Sequence, residues 1–188
     1  CPATDDTVSV RSLPPIVSQI NNATTTICSG QSTTILGIAP TGGLGSGYTY
    51  QWDSSFNNST WLPITGETNF DLTFSPTTSV YVRRRVFSAN CELASNSVLV
   101  TVLAPIANNS ISPNQGVCIG TIPATIIGTT PTGGGGVYNY QWQVFNGVSF
   151  VNIPTANSKD YTPPSLTDTQ YYRRIVTTTL CTGLQSSV

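Results

Sequence analysis

Five cysteines, Cys1, Cys28, Cys91, Cys118 and Cys181, are the residues of this chain best suited to covalent chemistry. The chain contains no His, which excludes Ser, Cys or Thr nucleophiles that depend on an imidazole base. Its eight carboxylates are Asp5, Asp6, Asp53, Glu67, Asp71, Glu92, Asp160 and Asp168. None recurs at the spacing that governs the rest of the sequence, so no acid–base pair of fixed separation is expected. Gly42–Gly47 and Gly133–Gly136 lack the Lys-Ser/Thr of a phosphate loop. Asp5-Asp6 is the sole adjacent acidic pair and no Cys-x-x-Cys occurs, so neither calcium nor zinc is expected. No catalytic residue, metal or cofactor is therefore assigned. What remains for the cysteines is disulfide formation in an oxidising compartment.

The spacing that organises the chain is ninety residues. Cys1 aligns with Cys91 and Cys181, Cys28 with Cys118, and Val8 and Val10 with Val98 and Val100. Tyr48-Thr49-Tyr50-Gln51-Trp52 returns as Tyr138-Asn139-Tyr140-Gln141-Trp142, and Tyr81-Val82-Arg83-Arg84 as Tyr171-Tyr172-Arg173-Arg174. Pro40-Thr41-Gly42-Gly43 returns one position late, at Pro131-Thr132-Gly133-Gly134, an indel of the kind a surface loop tolerates. Such a period marks tandem modules. The expected division is 1–16, the last strand and linker of a preceding module; 17–106, a first module; and 107–188, a second whose last strand is incomplete. Only 8% of residues are charged and the net charge is −1, so no basic stripe exists to follow nucleic acid. No apolar run is long enough to cross a bilayer as a helix.

Local alternation predicts strands. Tyr48, Tyr50 and Trp52 alternate with polar residues, as do Phe70, Leu72 and Phe74, and Val98, Val100 and Val102. Further strands are expected over 33–38, 79–87, 125–128, 138–143 and 171–177. Several short strands and one Trp placed for burial in each module predict tandem immunoglobulin-like β-sandwiches, an all-β fold, with Trp52, Trp142, Tyr50 and Tyr140 in the cores. Along the Tyr-x-Arg-Arg strand the more apolar phase is Val80, Val82, Arg84 and Val86. It sets Arg84 and Arg174 inward, at the rim of the core over the faces of Trp52 and Trp142. On the opposite phase both would be solvated.

The cysteines do not sit where an antibody-type disulfide does. Cys28 precedes its strand and Cys91 lies ten residues beyond Tyr81, which places them at opposite poles of such a sandwich. A strand of seven or eight residues would separate them by roughly 25 Å, whereas a disulfide needs Cα atoms about 4.4–6.8 Å apart. Head-to-tail stacking of modules instead brings Cys28 to Cys181, and sends Cys1, Cys91 and Cys118 to partners outside this stretch. The within-module pairs Cys28–Cys91 and Cys118–Cys181 remain the alternative for a different topology.

The ordered motifs Cys28-Ser29-Gly30, Tyr-x-Tyr-Gln-Trp, Trp61–Ile64, Tyr-x-Arg-Arg and Cys91, repeated from Cys118-Ile119-Gly120 through Phe150–Ile153 to Cys181, resemble the Ig-like repeats of giant Bacteroidetes surface proteins, gliding-motility adhesins among them. The Asn96-Ser97 pair is replaced by Ser186-Ser187 in the second repeat. The resemblance implies a structural segment of an extracellular cell-surface stalk or filament, adhesin-like, whose partners are neighbouring modules. Two other readings stay open. Trp61 and Phe150 could contact sugar rings of a surface polysaccharide, or residues 1–16 could complete a neighbouring subunit by donor-strand complementation. Sequons stand at Asn22, Asn57, Asn58 and Asn108, and Asp6-Thr7-Val8 resembles an O-glycosylation tripeptide of the same bacterial group, on Thr7.

Overall fold

The computed structural model describes residues 8–21, 23–181 and 184–185. No described residue is helical, and twelve strands are present: β1 (Thr25–Cys28), β2 (Thr33–Ile35), β3 (Thr49–Ser55), β4 (Leu62–Pro63), β5 (Leu72–Phe74), β6 (Val80–Ser88), β7 (Cys91–Ala94), β8 (Val98–Leu103), β9 (Asn139–Phe145), β10 (Phe150–Asn152), β11 (Tyr172–Thr177) and β12 (Leu184–Gln185). One sheet runs β1-β8-β6-β3-β4, with β7 on β6; a second runs β10-β9-β11-β12; β2 and β5 form a third. The strand expected over 33–38 stops at Ile35, and Gly37 continues as an isolated bridge to Ile20. Residues 125–128 likewise make only bridges, Ile126 to Tyr161 and Gly128 to Ile111.

Two compact units result. The first holds the chain up to Thr25 together with Ser32–Thr101; the second holds Thr26–Gln31 together with the chain from Val102 onward. Each is an immunoglobulin-like sandwich built on one antiparallel pair, β3 with β6 in the first unit and β9 with β11 in the second. Along β6 burial alternates strictly, with Val80, Val82, Arg84, Val86 and Ser88 inside, as period-two geometry requires of a strand with one face on the core. Trp52 and Trp142 are fully buried, among Ile20, Ile35, Leu72 and Val100 in one unit and Val176 in the other.

The residues that recur carry recurring bonds. The indole Nε1–H of Trp52 donates to Asn69 O at 3.0 Å and that of Trp142 to Ser158 O at 2.9 Å, so each large ring is buried without an orphaned donor. Gln51 Nε2 donates to Trp52 O and Ile64 O, and Gln141 Nε2 to Trp142 O and Ile153 O. Tyr48 and Tyr138 each donate their hydroxyl into the glycine loop, to Gly42 O at 2.6 Å and Gly133 O at 2.7 Å. That loop approaches the preceding segment closely: a Cβ on Gly42 would lie 1.9 Å from Pro15 O, and one on Gly133 2.0 Å from Pro105 O. Both glycines also have φ near +80° (83° and 74°), a conformation few other residues adopt.

Candidate functional site

The most unusual chemistry inside each unit is a buried guanidinium. Arg84 and Arg174 are both 0% exposed, so both guanidiniums face inward and are covered from solvent. A charge taken out of water must be repaid by directed hydrogen bonds, and these are present. Arg84 donates from Nη1 to Phe70 O (2.8 Å) and from Nη2 to Ile38 O (2.6 Å) and Gln19 O (3.2 Å). Its guanidinium carbon stands 4.8 Å from the ring centres of Tyr50 and Phe70 and 5.9 Å from that of Trp52. Arg174 donates to Lys159 O (2.8 Å), to Thr129 O (3.0 Å) and, from Nε and Nη2, to Asn109 Oδ1 (2.9 and 2.6 Å). The Arg174 guanidinium carbon stands 5.0 Å from the ring centre of Tyr140. Burial lowers the pKa of both guanidiniums, against the opposing pull of nearby Tyr and Asp groups.

Carboxylates close each cradle. Gly37 N–H donates to Asp71 Oδ1 at 2.7 Å, and Gly128 N–H to Asp160 Oδ1 at 2.8 Å. The expectation that no acidic residue recurs is therefore corrected. Asp71 and Asp160 are equivalent but stand eighty-nine positions apart, because the β3–β4 turn is one residue longer than the β9–β10 turn. Lys159 Nζ also bonds Asp160 at 2.8 Å, and that bond, with the Gly128 N–H, holds the Asp160 carboxyl below its ordinary pKa.

Cys28 and Cys181 are joined as a disulfide with Cα atoms 5.6 Å apart. Both are buried in the second unit against Ile106 and Val176, with Leu103, Tyr138 and Tyr140 around them. Cys91 and Cys118 are free thiols, so neither within-module pair, Cys28–Cys91 or Cys118–Cys181, is formed. Cys1 lies outside the described residues.

On the outer face of the first unit, Asp53 is 2% exposed and accepts from Arg83 Nε (3.2 Å) and Arg85 Nε (2.9 Å), and Arg85 reaches on to Glu92 (3.2 Å). In the second unit Gln143 takes the place of Asp53 and accepts from Arg173 Nε at 2.7 Å. Trp61 and Phe150, the residues considered for sugar contact, each have a guanidinium over the ring, Arg83 at 4.4 Å and Arg173 at 4.2 Å. Phe150 also packs on Phe145, with ring centres 5.3 Å apart. Asn58 and Asn108 are exposed at positive φ, and Asn108 Nδ2 donates to Thr130 O at 2.8 Å. Thr7 and Asn22 lie outside the described residues. The second unit has a cleft of about 360 Å³ along Gln170–Tyr172, whose counterparts Val80–Val82 pair with Val98–Val100 of β8. Among the described residues no group of three or more His, Cys, Asp or Glu could hold a metal ion. Among them, too, no helix is long and apolar enough to cross a membrane.

Strand order and the two repeated cores define tandem Ig-like modules. The chain belongs to the family described as "Domain of unknown function (DUF8696)", whose model matches residues 17–104 and again 107–188. No curated protein sequence matches the chain. Solved structures similar to it include the N-terminal four Ig domains of Dscam1 isoform 6.9 (TM-score 0.44, 12% identity, 96% of this chain and 46% of that one). Domains A168–A170 of titin are similar too (0.46, 14%, 92% and 64%), as are Ig domains 1–4 of Sidekick-1 (0.45, 12%, 96% and 51%). The chain thus spans less than two thirds of each of these structures.

Proposed function

We propose that this chain is a structural segment of an extracellular stalk or filament of tandem Ig-like repeats, adhesin-like, of the kind carried by large bacterial surface proteins. The observation that carries the reading is the Cys28–Cys181 bond, which ties a residue of one sequence repeat to a residue of the next. A covalent tie from one sequence repeat to the next supports the reading of the chain as a spacer. A disulfide of this kind also favours an oxidising, extracellular location.

The acidic groups best placed for chemistry are committed to structure: Asp53 to two arginines, Asp71 and Asp160 to glycine N–H groups. That supports a non-enzymatic role. Trp61 and Phe150 each lie beneath an arginine and Trp52 and Trp142 are fully buried, which favours the structural reading over a carbohydrate site.

The test is a denaturing gel of the native protein, with and without reductant. A species many times the 19.9 kDa of this sequence that survives reduction is the expected result. Collapse to a band near that mass would replace the stalk reading with an assembly of short subunits.

A further inference from the structure

The two free thiols occupy the same places as the two bonded ones. Cys118 corresponds to Cys28 and Cys91 to Cys181, each ninety positions away. The local structure repeats as well. Gln31 N–H donates back to Cys28 O at 3.0 Å and Thr121 N–H to Cys118 O at 3.1 Å, and Gly30 and Gly120 both turn at φ 79°. On the other side, Thr178 and Cys181 bond across a tight turn, and Ser88 and Cys91 pair across the equivalent one. The packing beside that turn is also alike: a Cβ on Gly43 would meet Ser88 and Ile16, and one on Gly134 would meet Thr178 and Ile106.

What differs is burial. Ile27 and Cys28 are each 8% exposed, while their counterparts Val117 and Cys118 are exposed, Val117 by 42%. Cys181 is 5% exposed, whereas Cys91 is only half-buried. The same turn is thus seated and bonded once, and presented unseated once, apolar residue and thiol together.

We propose that the turn 117–121 is a docking element whose partner is the Cys91 end of a second copy of this repeat, joined to it by a Cys118–Cys91 disulfide. The junction would reproduce that of Cys28 with Cys181. This deepens the stalk reading and rests on its claim that successive repeats are tied by this bond. The chemistry balances with a small disulfide oxidant such as oxidised glutathione. One protein thiolate attacks it and releases a glutathione thiol; the second attacks the mixed disulfide and releases the other. Two thiols are oxidised to one disulfide, and one glutathione disulfide is reduced to two thiols.

The experiment uses the 188-residue chain with Cys1→Ser, concentrated in a glutathione redox buffer and analysed on a non-reducing gel and by mass spectrometry of the digest. The expected result is a ladder whose linked peptides are Cys118–Cys91. Cys91→Ser and Cys118→Ser variants, matched in melting temperature to the parent, should each fail to form the ladder alone and give one heterodimer when mixed. Val117→Asp, at an exposed position, should slow linkage by about tenfold if that side chain is buried at the junction. Symmetric Cys118–Cys118 and Cys91–Cys91 products, or thiols that stay free, would overturn the proposal. The Cys28–Cys181 peptide in the same digest reports on the stalk reading separately, since its presence is independent of whether the new pair forms.

Discussion

The guanidinium of Arg84 fills the space beside Gly37 that any other residue would need. A Cβ on Gly37 would lie 1.9 Å from Arg84 Nη1 and 2.5 Å from Phe70 O, and one on Gly128 would lie 1.7 Å from Arg174 Nη1. Neither glycine has a positive φ, so alanine is excluded there by the guanidinium and by the neighbouring carbonyl (Phe70 O at 2.5 Å, Lys159 O at 2.7 Å) and not by the glycine's own backbone conformation. Gly37→Ala or Gly128→Ala would push the arginine off its carbonyls while leaving its charge buried. The expected loss is about 3 kcal/mol or more in chemical denaturation. An alanine variant as stable as the parent would show that the cradle is not a stabilising pin.

Removing the charge tests the same cradle from the other side. Arg84→Met keeps the volume but strips the guanidinium from Phe70 O, Ile38 O and Gln19 O; Gln19 O keeps the Ile38 N–H, while a carbonyl left without a donor costs about 1–3 kcal/mol unless water reaches it. A loss of at least ~2 kcal/mol is expected, with Arg84→Lys also destabilising because ammonium lacks the planar fork. Equal stability of the Met variant would mean the guanidinium contributes nothing beyond its bulk.

The two cradles differ in one informative detail. Arg84 Nε and Ser18 Oγ are buried without a hydrogen-bond partner, whereas Arg174 Nε is held by Asn109. Counted back from the bridges of Ile20 with Gly37 and Ile111 with Gly128, Ser18 stands where Asn109 stands. Ser18→Asn is therefore expected to stabilise the first unit by about 1 kcal/mol, the ordinary net value of a buried hydrogen bond. Thermal melting checks this, and a fall in melting temperature would show that the two sites are not interchangeable.

Stability should depend on pH at both extremes in the second unit. The Asp160 pKa is depressed, by the Lys159 hydrogen bond first and the Gly128 N–H next. Its contribution is present above about pH 4 and is lost as pH falls through the lowered folded value. Tyr161 and Tyr172 shift the other way, raised by burial. Their contribution is present below about pH 10 and is lost as pH rises through the raised folded values. Melting curves across pH for the parent and Asp160→Asn would separate the two limbs. The variant should flatten the acid limb alone.

Much of the fold was legible because its signals are short-range and repeated. Trp52, Gln51 and Tyr48 make bonds that Trp142, Gln141 and Tyr138 make again, so one ninety-residue register found them all. Asp71 and Asp160 escaped that register. The β3–β4 turn, built on Asn57, is one residue longer than its counterpart on Asn146, and the difference is cancelled only before Tyr81 and Tyr171. Between those points equivalent residues are eighty-nine apart, and a fixed comparison misses them. The partners of Arg84 and Arg174 were hidden for a different reason. Most of their acceptors are backbone carbonyls, such as Gln19 and Ile38 far along the chain for Arg84, and a carbonyl leaves no mark in the sequence; Asn109, the side-chain acceptor of Arg174, has Ser18 at its equivalent position and so does not recur. Gly37 and Gly128 did carry a mark, a glycine just ahead of Pro-Thr-Gly-Gly, whose meaning appears only with the guanidinium beside it.

The most direct measurement is disulfide mapping of the native, unreduced protein by digestion and mass spectrometry. The account predicts a peptide linking Cys28 to Cys181, the bond that ties one repeat to the next. Recovery of Cys28 linked to Cys91, together with Cys118 linked to Cys181, would contradict it. Each repeat would then be closed on itself, and the covalently tied stalk would give way to independent beads.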